Sequence, residues 1–244
     1  MGHTFVLVHG GFHGGWCWRH VAAALRGMGH TVTTPTLTGL GEKRHLVRQV
    51  EGPVTLVEDV VGHLFFEDLR DVVLVGHSLA GLAISGAADR VPERIRHLVY
   101  LDSLLAENGE SAQDTIPREV AEQRRRHVAE QGGGHLWPVI PVGGLGIPED
   151  HPKAQWVRER LTPNPFAAFA EPLTLENPVG NGLPATYIVC SDPIYPTLQG
   201  ARDRARAYGW ELRDLPTGHD AMVLVPDELA GMLAEIAGKL EGDS

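Results

Sequence analysis

Three residue types in this chain of 244 residues could together perform nucleophilic acyl transfer: a serine on a tight turn, an acid at a strand end and a histidine in a late loop. Ser78 lies in Gly76-His77-Ser78-Leu79-Ala80, a G-x-S-x-G pattern with Ala80 at the second glycine position. Serine at its free pKa is a weak nucleophile and needs an adjacent base. The base in turn needs an acid to fix its tautomer and stabilise its cation. His219, in Pro216-Thr217-Gly218-His219-Asp220, is the candidate base. Asp192 is the expected acid, by its place between Ser78 and His219 and its 27-residue distance from the histidine. Asp102, at the end of an earlier strand, is the competing acid and stays open. Backbone N–H groups of Leu79, just after the serine, and Gly11, after the first strand, are the candidate donors to a developing oxyanion. Phe12, His77 and Trp137 are the candidate substrate contacts, with a packed turn position as the plainer reading of His77.

Elements of the right kind surround these residues. The apolar run Val72–Val75 reads as a strand buried on both faces. Leu79, Leu82, Ala83 and Ala87 then recur at helical spacing, so Ser78 falls on a strand-turn-helix. Small residues are needed on either side because two backbones pass closely there. Thr4 to Val8, Val32 to Thr34, Ile95 to Leu101, Thr186 to Cys190 and Trp210 to Arg213 read as further strands. Trp16 to Met28 reads as a helix ended by Gly29, and Thr55 with Glu58 as a capping box opening a helix through Leu69. Thr197 to Tyr208 reads as a helix, and Pro226 opens a closing one. This alternation predicts an α/β fold, a mostly parallel, doubly wound sheet covered on both faces.

Between Ser103 and Leu183 the rhythm breaks. Nine of the 17 prolines lie here, with glycine runs and a polar helix around Arg118 to Gln131, which reads as a long irregular insertion. Long insertions of this kind are lids or disordered, and Trp137, Trp156, Phe166 and Phe169 favour a lid. The expected organisation is therefore a core of residues 1–102 and 184–244 with a mainly helical cap over 103–183. Arg124-Arg125-Arg126 reads as a solvated helix face rather than an anion site.

Composition excludes several functions. A net charge of −10 argues against nucleic acid or an anionic membrane as partner. No apolar stretch approaches a membrane span, and MGHTFVLVHG has no basic region ahead of its apolar residues, so no signal peptide is expected. Two cysteines, Cys17 and Cys190, build no disulfide framework, which points to reduced thiols and a cytoplasmic location. His9 and His13 have a metal-like spacing but lie in a glycine-rich loop without H-E-x-x-H, so no metal is expected, nor any other cofactor. The expected partner is a small-molecule substrate, with a homodimer left open.

The segments Phe5 to Trp18 (FVLVHGGFHGGWCW), Gly29 to Glu42 (GHTVTTPTLTGLGE), VLVGHSLAG around Ser78 and Thr217-Gly218-His219 resemble the α/β-hydrolase superfamily. Within it they are similar to the branch of plant methyl esterases, hydroxynitrile lyases and related small bacterial esterases. The resemblance covers some two-thirds of the chain and matches the insertion only weakly. It implies an α/β-hydrolase fold and a serine hydrolase of an ester, carbamate or amide. The lyases of the branch carry a lysine after the histidine and a threonine after the first-strand histidine. Here Asp220 and Gly10 stand there, which favours the esterase side. The family's acid sits one residue further from its strand than Asp192 does, which keeps Asp102 open. A lyase or cyclase using the same site, and a binding protein without turnover, are the alternative classes.

Overall fold

The alternation of apolar strands and helices closes into one parallel sheet in the computed structural model, which describes residues 2–239. In chain order the elements are β1 (Thr4–Val8), α1 (Arg19–Gly27), β2 (Thr31–Thr33), α2 (Pro53–Phe66), β3 (Val72–His77), α3 (Ala80–Arg90) and β4 (Ile95–Leu101). Then come α4 (Arg118–Gln131), β5 (Leu136–Trp137), α5 (Ala154–Arg158), β6 (Asn164–Pro165) and α6 (Ala167–Ala170). The chain finishes with β7 (Ala185–Cys190), α7 (Gln199–Ala207), β8 (Glu211–Leu215), α8 (Ala221–Leu224) and α9 (Pro226–Lys239). The main sheet runs β2-β1-β3-β4-β7-β8, with all its pairings parallel. No helix among the described residues is long and apolar enough to cross a membrane.

Strand periodicity sorts the core into two layers. Val6, Val8, Leu74, Leu98 and Tyr100 pack with α2, α3 and α7 on one face. Phe5, Leu7, Val73, Val75 and Val99 pack with α1, α8 and α9 on the other. Both faces of β3 are thus dry, as its continuous apolar run requires. A buried central strand holds its end still, and that end carries Ser78.

Two boundaries differ from the sequence reading. The capping box at Thr55 does not form: α2 begins at Pro53, and the Thr55 hydroxyl accepts the Glu51 N–H at 3.1 Å instead. Proline lacks the N–H that a cap would satisfy and starts the helix by itself. Glu58 pairs with Arg90 across to α3. The segment Trp16 to Met28 opens as a 3-10 turn, Gly15–Trp18, before α1.

Residues 103–183 hold α4, α5, α6 and the small antiparallel pair β5–β6. They are stitched to the first-strand loop. The Phe12 N–H donates to Asn164 Oδ1 (3.2 Å), and the Thr162 N–H donates to the Phe12 carbonyl (2.9 Å).

Candidate active site

Ser78 connects β3 to α3 at a φ of 53°, in the left-handed region that a non-glycine residue occupies at a cost of about 1–3 kcal/mol. Its surroundings hold it there. The Ser78 carbonyl accepts from Gly81 N–H (3.1 Å), Leu104 N–H (3.0 Å) and the Ser103 hydroxyl (2.7 Å). The crossing is tight: a Cβ on Gly76 would come within 2.8 Å of Ile84 and 3.0 Å of the Ala80 carbonyl. Ala80, the departure from the motif, is fully buried at the start of α3.

His219 follows β8 and reaches Ser78 across the top of the sheet. Its Nε2 lies 3.0 Å from Ser78 Oγ, and its Nδ1 lies 2.7 Å from Asp102 Oδ2. The carboxylate only accepts, so Nδ1 carries the proton and Nε2 is free to take one from the serine. Asp102 is fully buried, with Arg202 Nη1 at 3.8 Å from its other oxygen. Tyr195 stacks on the His219 ring, centroids 4.3 Å apart. The Leu145 carbonyl takes the Asp220 N–H at 3.1 Å, which ties the histidine loop to the insertion.

The contact expected of Asp192 is not made: the competing candidate, Asp102, meets His219 instead. After β7 the chain doubles back through a Ser191–Ile194 bridge, which leaves Asp192 on the outside of the turn and exposed. Its N–H donates to the Thr217 carbonyl (3.1 Å), but its carboxylate meets no partner among the described residues. Asp102 takes a φ of 38° as β4 ends, while its N–H still bonds the Ile188 carbonyl of β7. That conformation places the carboxylate under the histidine ring.

The N–H groups of Gly11 and Leu79 donate to no protein acceptor among the described residues. Gly10, just before, is needed for closeness: a Cβ there would sit 2.8 Å from Ser78 Cβ. His77 lines the same cavity, but its Nε2–H donates to the His219 carbonyl at 3.0 Å. Burial, and then the neighbouring His219, hold its pKa well below the usual histidine value, so the ring is neutral. Phe12, Trp137 and Phe169 form an edge-to-face aromatic wall, centroids 4.9 and 5.1 Å apart, and all three line the cavity beside Ser78.

Neither histidine of the spaced pair faces an open ligand position. His9 donates from Nδ1 to the Gly10 carbonyl and accepts the Leu37 N–H at Nε2, and burial lowers its pKa to about 3. His13 Nδ1 donates to the Gly11 carbonyl (2.7 Å) and its Nε2 meets Asp220 Oδ2 (2.9 Å). Burial opposes charge on His13, but Asp220 outweighs it and the pKa is raised. A second buried histidine–aspartate pair thus braces the Gly11 loop. Sequence reading missed Asp220, Arg202, Tyr195 and Arg124 as site residues. Only Asp220, adjacent to His219, carried a local signal.

The arrangement can activate a hydroxyl next to two free N–H donors at an apolar cavity, the requirements for attack on a carbonyl. The model of the alpha/beta hydrolase family matches residues 5–232. The chain is 39% identical over 248 residues to a carbendazim hydrolyzing esterase of Nocardioides sp. (strain SG-4G), covering 96% of this chain and 99% of that one. A shorter match, 37% identical over 106 residues, joins 42% of this chain to 38% of methylesterase 10 of Arabidopsis thaliana. Among solved structures, an extracellular alpha/beta-hydrolase from a Paenibacillus species superposes with a TM-score of 0.83 at 23% identity, over 96% of this chain and 98% of that one. The chain belongs to the alpha/beta hydrolase family.

Proposed function

We propose that this serine-type carboxylic ester hydrolase works through an acyl-enzyme, with Ser78 as nucleophile, His219 as general base, and Asp102 as the acid that orients it. His219 Nε2 takes the Ser78 proton as Oγ attacks the ester carbonyl, and the imidazolium that forms is stabilised by Asp102. The carbonyl oxygen, now negative, is held by the Gly11 and Leu79 N–H groups. His219 then gives its proton to the departing alcohol oxygen. Water, deprotonated by the same ring, cleaves the acyl-enzyme and restores Ser78. No step calls for a cofactor.

The observation that carries this reading is the unbroken run Ser78 Oγ–His219 Nε2 and His219 Nδ1–Asp102 Oδ2, at 3.0 and 2.7 Å. Phe12 and Trp137 act as apolar contacts for the acyl or alcohol part, and His77 supports the His219 backbone. Residues 103–183 serve as the cap of a core formed by 1–102 and 184–244. Two buried free thiols, Cys17 and Cys190, support a cytoplasmic location.

Labelling with a fluorophosphonate probe, followed by peptide mapping, tests the mechanism together with burst release of p-nitrophenol from a short-chain ester. The adduct is expected on Ser78 with a burst equal to the enzyme concentration. Turnover without an adduct on Ser78 would refute it.

A further inference from the structure

The arginine triplet of α4 does not behave as one solvated face. Arg125 and Arg126 are exposed, whereas Arg124 is partly buried and lines the cavity that holds Ser78, His219 and the aromatic wall. Its guanidinium carbon lies 4.5 Å from the centre of the Trp137 ring. The guanidinium thus sits over the indole, and its N–H donors have no protein acceptor among the described residues. Burial lowers its pKa from the ordinary arginine value, with Tyr195 opposing the shift.

No Asp or Glu lines the cavity around Ser78. Beyond it lies a groove of about 660 Å³, whose one carboxylate among the described residues is Glu130. The space beside Ser78 itself is only about 30 Å³, little more than one water needs. Arg124, Trp137, Ile140, Tyr195 and Thr197 line both. The Thr197 hydroxyl is buried and has no hydrogen-bond partner among the described residues. Arg124, which lines both spaces, and the Thr197 hydroxyl thus lack protein partners among the described residues, and an unpaired buried polar group is costly. Both are complementary to a planar oxyanion, and arginine's fork matches a carboxylate in particular.

We propose that Arg124 and Thr197 form a subsite for a carboxylate at the far end of the substrate, so that the preferred esters are monoesters carrying a second, ionised acid group. This rests on the ester-hydrolase reading. The scissile ester sits at Ser78, the apolar middle lies against Trp137 and Ile140, and the free carboxylate is held at Arg124 and Thr197, where the cavity and the groove share their lining.

The test compares monomethyl esters of straight-chain dicarboxylic acids of increasing length with the matching dimethyl esters. The quantity read is the ratio of their kcat/KM values, for wild type, Arg124→Gln, Arg124→Lys and Thr197→Val. Wild type should favour the monoester at an optimal length. Arg124→Gln should lower that ratio at least tenfold, roughly the worth of a charged hydrogen-bonded pair. Arg124→Lys should restore part of it, because it keeps charge but not the fork, and Thr197→Val should lose a smaller share. An equal ratio in wild type and Arg124→Gln at every length overturns the subsite. Calorimetric titration of each monoester into Ser78→Ala, with and without Arg124→Gln, separates this from failure of the hydrolase reading, since it needs no turnover. Arg124-dependent binding without any wild-type ester hydrolysis would sink the hydrolase reading and keep the subsite. Hydrolysis with no dependence on Arg124 in either measurement would do the reverse.

Discussion

Replacing Asp102 by asparagine should cripple hydrolysis, while the same change at Asp192 should leave it near normal. Asp102 Oδ2 accepts the His219 Nδ1 proton at 2.7 Å. An asparagine keeps the shape but presents an amide that can turn its N–H₂ toward Nδ1, favouring the tautomer with the proton on Nε2. That tautomer cannot take the Ser78 proton. The comparable change in a serine protease lowers kcat by about ten-thousandfold, or about 5.5 kcal/mol of barrier. Stability should fall as well, because Arg202 loses its buried counter-charge. Removing one partner of a buried pair costs about 3–5 kcal/mol where contact is close. Here the separation is 3.8 Å and Arg202 keeps the Tyr195 carbonyl and Gln199 as acceptors, so we expect a loss of about 1–3 kcal/mol. For a chain of this size that lowers Tm by about 2–12 °C. The assay is initial-rate hydrolysis of a p-nitrophenyl ester well below the lowered Tm, alongside calorimetric unfolding of both variants. Asp192, exposed and without a carboxylate partner, should change kcat less than about twofold when made asparagine. A crippled Asp192→Asn beside a near-normal Asp102→Asn would refute the reasoning.

Other perturbations follow from the same geometry. Ser78→Ala should abolish turnover, on the order of a millionfold, with a Tm close to wild type; a tenth of the wild-type rate remaining would remove Ser78 as nucleophile. Gly10→Ala should lower kcat about a hundredfold, because its Cβ would sit 2.8 Å from Ser78 Cβ and a displacement near 1 Å costs about that much; an unchanged kcat would mean that the loop yields freely. Trp137→Ala should flatten the dependence of kcat/KM on acyl length, where each buried methylene contributes about 0.8 kcal/mol, and coinciding profiles would make Trp137 structural only. The His13–Asp220 pair predicts a pH-dependent stability. His13 has a folded pKa raised above the free value of 6.5, so its contribution is fully present below pH 6.5 and is lost as pH rises through the folded value. The Tm difference between wild type and His13→Gln, followed from pH 5 to pH 9, should therefore narrow as pH increases; a gap that widens would reverse the assigned charge state.

Much of the chain was legible because its signals are local. The apolar run before Ser78, the small residues around it and the helical spacing after it specify strand, turn and helix within a few residues of one another. Val72–Val75 could be buried on both faces only in a covered parallel sheet, and the sheet is parallel. Ile95 to Leu101, read as a strand, and Arg118 to Gln131, read as a polar helix, match the bounds of their elements. Where one position tipped a boundary, as Pro53 did over Thr55, the stronger backbone constraint decided it.

The partners of those residues were settled only by the tertiary structure. Asp102 follows β4 directly and Asp192 lies two residues past β7, and the sequence signals at the two positions do not say which carboxylate reaches the histidine. What decides is the path after the strand: β7 doubles back through Ser191–Ile194 and exposes Asp192, while β4 ends in a positive-φ residue that turns Asp102 under His219. Arg202 reads as one more charge on a polar helix until α7 lays it beside that carboxylate. Arg124 differs from Arg125 and Arg126 only by the face of α4 it occupies and the indole that face meets. Period and propensity describe a residue's relation to its own element. Which side chains meet across elements more than a hundred residues apart depends on strand order and loop path, and only the folded chain supplies those.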